Sequence, residues 1–373
     1  MGSSSLPNGL LSLSLAVFLL LHLFPSGSAS HNEPLISYHN GPLLTGNVSL
    51  AILWYGEFMP VEKIVVQTFI ESLSMRPSKS FQADVHSWWK KVGSYLEVAE
   101  KKSPKSVVQI ARQVYDESAS LGYDLGSESL PALLHKATVG LANTVAVIFV
   151  SKDVKMAETC TVPCYLHGVH GKQVYIVVGN PADNCPGSCA VPFHHSRIAP
   201  LAVTLEPPSG NLGADAMVIH FASALAETVT NPFNNGFFSN KWGDQFQAAT
   251  VCMGIFATGA LPGTFPGNVR VDPFTGGAFN AHGLGPSFFL LPALWDPKTD
   301  DCWTVKLKET AHVALLFQPH VVVTMDSNLL ELSLSLPNKM SSLLAVEVST
   351  YNVLKGGRSF SYQGEVSRQN LET

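Results

Sequence analysis

Six cysteines constrain this chain more than any other feature: Cys160, Cys164, Cys185, Cys189, Cys252 and Cys302. Four of them form two Cys-x3-Cys pairs on either side of residues 173–178 (QVYIVV), a short β-rich run that reads as a buried strand. Two thiolate pairs at that spacing suit a tetrahedral zinc site. In an oxidising compartment the same residues form up to three disulfides instead, with the pairing left open by the sequence. The choice depends on where the chain is sent.

The N-terminus speaks to that. Residues 1–30 contain no Lys, Arg, Asp or Glu, and an apolar run from Leu10 to Phe24 is followed by small residues through Ser30. Such a run is too short to cross a bilayer comfortably but fits a cleavable signal peptide. No later run approaches spanning length, so no transmembrane segment is expected after the signal is removed. The secretory route favours disulfides over zinc. Asn47-Val48-Ser49 is the one N-glycosylation sequon, and Asn47 is the expected acceptor.

About 340 residues then remain, enough for one large core or two smaller ones. Hydrophobic content of 46% against 14% charged disfavours extensive disorder. A net charge of −5 lacks the basic surface a nucleic-acid binder needs.

Periodicity supplies the elements. Residues 50–55 read as a buried strand, 61–73 as an amphipathic helix, and 85–95, with Trp88 and Trp89, as a second. Residues 107–115 suit strand or helix alike. A helix over 130–139, strands over 144–150 and 173–178, and a helix over 215–228 follow. This order predicts an α/β or α+β fold: a single domain with a mixed sheet, flanking helices and disulfide-pinned loops. Residues 306–373 carry apolar runs at 313–317, 321–323 and 343–348 but read as an atypical extension. The expected organisation is a signal over 1–30, a domain over 31–305 and that extension.

Several stretches resemble the plant phosphate-induced protein 1 family, the EXORDIUM-like secreted proteins. They are HNGP with ILWYGEF, SWWK, CTVPCYLHG, GNPADNCPGSCAVPF, AETVTNPFNNGFF, and the Gly- and aromatic-rich run that closes on LLPALWDP. The likeness spans residues 38–302. It implies a secreted protein of the apoplast or cell wall linked to growth, and it carries over no catalytic residue.

The helix over 215–228 is the sharpest test of catalysis. His220, Ser223 and Glu227 share a face, but a zinc peptidase helix needs His-Glu-x-x-His. The resemblance implies that some microbial relatives carry His-Glu where this chain has Ser223-Ala224, so a degenerate zincin-like arrangement is the expectation. His220 lies about 10 Å along the axis from Glu227, too far to share one ion. Glu227 is expected to hydrogen-bond the following Thr-Asn-Pro turn. His194 and His195 read as exposed loop residues whose side chains point apart. There is no G-x-S-x-G and no phosphate-binding glycine motif. No cofactor or metal is expected.

The leading expectation is a non-enzymatic protein that binds a wall component or extracellular partner during cell expansion. The alternative is a divergent hydrolase acting on wall polysaccharide or peptide. It would require Glu227, Asp272 and Asp296 to converge in one cleft near Phe265, Phe274 and Phe279.

Overall fold

The computed structural model describes residues 35–74, 84–100, 106–196, 204–241, 245–260 and 266–305, together with the backbone of four strands between 321 and 361. The signal segment lies outside them. The centre is a five-stranded sheet built from β1 (Asn47–Tyr55), β2 (Val107–Asp116), β3 (Val145–Val150), β4 (Tyr165–His170) and β5 (Gln173–Gly179). Their order across the sheet is β2-β1-β3-β5-β4. The first four are parallel, and β4 runs antiparallel to β5 at one edge.

Parallel strands must be covered on both faces, so their sequences are apolar on both sides. The period of two sorts them cleanly. Leu50, Ile52 and Trp54 of β1, Val147 and Phe149 of β3, and Ile176 and Val178 of β5 enter the larger core. Leu53, Tyr55, Ala146, Ile148, Val150 and Val177 enter the smaller one. The smaller face is covered by α3 (Leu130–Thr138), which contributes Leu133, Leu134 and Ala137.

The larger face receives α1 (Pro60–Leu73), α2 (Asp84–Glu100) and α4 (Leu212–Thr230). Helix α1 opens with a Pro at its first position, and Glu62 reaches back to the Met59 amide at 2.8 Å. Trp88 of α2 is fully buried and donates its indole N–H to the Pro292 carbonyl at 2.8 Å. Full burial of such a side chain contributes on the order of 1.5–3 kcal/mol. Helix α4 is apolar enough and long enough to cross a membrane by composition, yet 94% of it is buried within the protein. It is the core helix, which is why no amphipathic stripe marks it.

Residues 107–115 are therefore strand, because β1 offers a parallel partner along the whole length. The segment after Cys164, to which periodicity assigns no element, is strand β4. Gly168 and polar His167 and His170 interrupt its alternation, so pairing with β5 rather than propensity makes it a strand. The three disulfides are Cys160–Cys185, Cys164–Cys189 and Cys252–Cys302. The first two are interlaced, each closing 25 residues around β4 and β5.

The chain divides into two units, residues 1–307 and 308–373. In the second, Val321–Asp326 pairs with Leu329–Leu334 and Asn352–Lys355 with Arg358–Ser361, both antiparallel. The expected apolar runs at 313–317 and 343–348 fall outside the described residues.

Candidate functional site

Helix α4 starts at Asn211, whose side chain accepts the Ala214 amide at 2.8 Å. Inside the first turn, Asp215 accepts both the amide and the hydroxyl of Ser209, at 2.8 and 2.6 Å. Burial outweighs those two bonds and pushes its carboxyl up to about 7. Further along, one face presents His220, Ser223 and Glu227, and each is already engaged. The His220 Nε2 lies 2.5 Å from the Cys189 carbonyl. Burial holds the ring down to about 4, so it is neutral at mildly acidic pH. Ser223 donates to the Ile219 carbonyl at 3.0 Å.

Glu227 is 1% exposed. Its carboxylate accepts the Ala249 and Thr250 amides at 3.1 and 2.8 Å and the Tyr165 hydroxyl at 2.6 Å. The expected bond from this carboxylate to the Thr-Asn-Pro turn is not what forms. The Glu227 backbone carbonyl, not its side chain, accepts the Asn231 amide. The physical reason is reach: the side chain projects from the helix flank toward β4 and residues 249–250, while the turn lies beyond the helix end. Burial, and then the charge of Glu227, push the Tyr165 hydroxyl well above its ordinary range, so it remains a neutral donor.

His167 on β4 sits 3.6 Å from Glu227 and accepts from the Gln247 amide at its Nε2, 2.9 Å away. Its other nitrogen, Nδ1, is buried without a partner among the described residues. Burial holds this ring below its usual range despite the neighbouring carboxylate. Gln247 in turn accepts from Asn231 at 2.9 Å, and Asn231 also accepts the Gly236 amide at 2.8 Å. A side chain on Gly236 would stand 2.3 Å from the Thr230 carbonyl, so the NNGFF turn closes only with glycine there.

Beside this junction lies a cleft of about 300 Å³. Its walls come from the start of β4, the Cys164–Cys189 bridge, helix α4 through Ile219, His220 and Ser223, and the segment from Ala249 to Phe256. None of the lining residues is Asp, Glu, Lys or Arg.

The three candidate carboxylates occupy separate settings. Glu227 is in the junction just described. Asp272 closes a hairpin tip, accepting the Phe274 and Thr275 amides and the Thr275 hydroxyl. It borders a different cavity, walled by Ile64, Thr68 and Phe288. Asp296 is ion-paired with Lys91 of α2. Burial works against its charge, and Lys91 with the Lys298 amide more than offsets that, leaving the carboxyl below its usual range. Among the described cavities, none is lined by more than one of the three. No group of three or more His, Cys, Asp or Glu side chains among the described residues has the arrangement of a metal site.

Of the aromatic trio, Phe274 is 95% exposed, Phe279 is buried against Phe288 at 4.4 Å, and Phe265 lies outside the described residues. His195 is exposed and its Nδ1 is 3.3 Å from the Thr204 hydroxyl, while the His194 Nδ1 is 3.0 Å from the His195 carbonyl. Asn47 is exposed at the first position of β1. Tyr165, His167, Gln247 and Lys91 are the residues that sequence reasoning missed. Only their neighbourhood gave a signal, since Tyr165 and His167 adjoin Cys164.

Residues 36–305 match the conserved region of phosphate-induced protein 1. Protein EXORDIUM-like 2 of Arabidopsis thaliana is 37% identical, over 78% of this chain and 97% of its own. Protein PHOSPHATE-INDUCED 1 of Nicotiana tabacum is 37% identical, over 73% and 88%. Protein EXORDIUM-like 3 of Arabidopsis thaliana is 28% identical, over 73% and 84%. No solved structure matches.

Proposed function

Since this chain belongs to the phosphate-induced protein 1 family, we propose that it is a secreted protein of the apoplast and cell wall that acts by binding. Its setting is cell expansion, and its partner is a wall component or another extracellular molecule. The charge-free apolar leader, three disulfides and an exposed acceptor at Asn47 support export.

One observation carries the preference for binding over hydrolysis. The polar groups on the face of α4 beside the cleft are committed to structural bonds: His220 to Cys189, Ser223 to Ile219, and Glu227 to three donors. A general base must reach a substrate proton, and a nucleophile must be next to a base. Ser223 and Ala224 supply neither at the helix position where a zinc peptidase would need both a ligand and a base. The competing hydrolase needs its carboxylates in one cleft, and they sit in three environments.

The test uses the secreted, disulfide-intact protein. It is assayed for cleavage of unfolded peptide and of wall polysaccharides, with and without added zinc, and for retention on isolated cell walls. Retention without turnover is expected. Zinc-dependent turnover that disappears in Glu227→Gln would overturn the reading.

A further inference from the structure

The cleft beside α4 has a chemical bias that narrows its ligand. Its walls are Val162, Pro163, Val191, Ile219, Met253 and Phe256 with a few polar groups among them. No charged side chain lines it, so neither an anion nor a cation finds a counter-charge. Two of the lining hydroxyls are already spent as donors. The Tyr165 hydroxyl donates to Glu227, and the Ser223 hydroxyl donates to Ile219. The Tyr165 and Ser223 donors are therefore occupied, while Ser188, Ser196 and Thr250, whose Oγ1 accepts the Gln247 amide, also line the cleft.

His220 adds an acceptor. With Nε2 facing a carbonyl oxygen, that nitrogen carries the proton of the neutral ring, and Nδ1 keeps its lone pair. Among the described residues nothing donates to Nδ1. The Ser223 oxygen also retains acceptor capacity. An uncharged, mainly apolar chamber with an imidazole nitrogen as acceptor suits a neutral ligand with one hydroxyl donor and a flat apolar body. Its volume is at the small end of ligand pockets. Phe256 and the Met253 thioether favour an aromatic body through ring and sulfur contacts.

We infer that this cleft is a binding site for a small neutral phenol, held between Met253 and Phe256 with its hydroxyl donated to His220. The inference rests on the binding reading above, because it places a ligand where a hydrolase would place its reacting bond. The Met253 side chain lines the chamber and is 50% exposed.

The experiment compares three probes of nearly one shape by titration calorimetry on the full secreted protein. They are 4-ethylphenol, 4-ethylanisole, which has lost the donor, and 4-ethylbenzoate, which carries a charge. The phenol should bind roughly tenfold more tightly than the anisole, the worth of one hydrogen bond of about 1.4 kcal/mol. The benzoate should not bind. Met253→Trp should block the phenol while leaving the thermal midpoint unchanged, and His220→Gln should erase the preference of phenol over anisole. Equal affinity for phenol and anisole would overturn the assignment. So would binding of the benzoate, or phenol binding unaffected by Met253→Trp. Zinc-dependent hydrolysis in the separate turnover assay would sink the non-catalytic reading alone and leave these affinities as they are.

Discussion

The surroundings of Glu227 and of Asp272 show what the same functional group does in two regions of one fold. Each carboxylate accepts two backbone amides and one hydroxyl. The donors to Asp272 lie two and three residues away, in its own turn. Those to Glu227 come from 22, 23 and 62 residues away. One carboxylate shapes a tip that displays Phe274. The other ties β4, α4 and the loop after Gln247 into one junction. Equal bond counts therefore conceal unequal roles, because long-range bonds join segments far apart in the chain, whereas local ones only shape a turn.

The largest effect that would break this comparison is at Glu227. Glu227→Ala leaves three buried donors without an acceptor, each costing about 1–3 kcal/mol, so a loss on the order of 3–5 kcal/mol is expected in chemical denaturation. Glu227→Gln keeps an oxygen for the two amides and should lose clearly less. Equal losses in the two variants would mean that packing, not hydrogen bonding, governs the junction.

The next effect concerns the tether of the loop that leads to Asp272. Cys252→Ala with Cys302→Ala should cost about 2–5 kcal/mol, read as a lower thermal midpoint. The shift should match that of the wild type under reductant only if the other two bridges stay closed.

Acid separates the regions by window. His167 has its ring held below the usual 6.5 by burial, with Glu227 opposing, so the unfolded chain takes up a proton more readily than the folded one. The stability this gives is present above pH 6.5 and is lost as pH falls below it. Asp272 is held below 3.8, first by the Thr275 hydroxyl, so its contribution is present above 3.8 and is lost only below that. His167→Gln should flatten the fall of the midpoint below pH 6.5, whereas Asp272→Asn should lower the midpoint slightly above pH 3.8 and converge on the wild type only below it. A shared window for both variants would show that the two regions unfold as one.

The smallest effect is Asp272→Ala, which should lower the midpoint less than the Glu227 and cysteine changes above and leave the cleft beside α4 untouched. Binding of 4-ethylphenol by that variant at wild-type affinity is the check.

Much of this architecture is legible in the sequence because burial on two faces leaves a signature. The runs around Leu50–Tyr55, Val145–Val150 and Gln173–Val178 are continuous and β-branched, and the helices carry spacings of three and four. Strand β4 was not legible, since its polar and glycine positions acquire extended geometry only by pairing with β5. The site was legible in part. That His220, Ser223 and Glu227 share one face of α4 could be read from their spacing. That Tyr165 and residues 249–250 close on Glu227 depends on how β4 and α4 pack, and no spacing encodes it.

The interlaced bridges Cys160–Cys185 and Cys164–Cys189 also bear on how such a chain varies over generations. Losing Cys160 alone would leave Cys185 as a free thiol four positions from Cys189, on a single helical turn beside an intact bridge. A thiolate so placed attacks its neighbour's disulfide and scrambles the partners. A single substitution is thus more harmful than the paired one, so these cysteines should be kept or lost two at a time across a lineage.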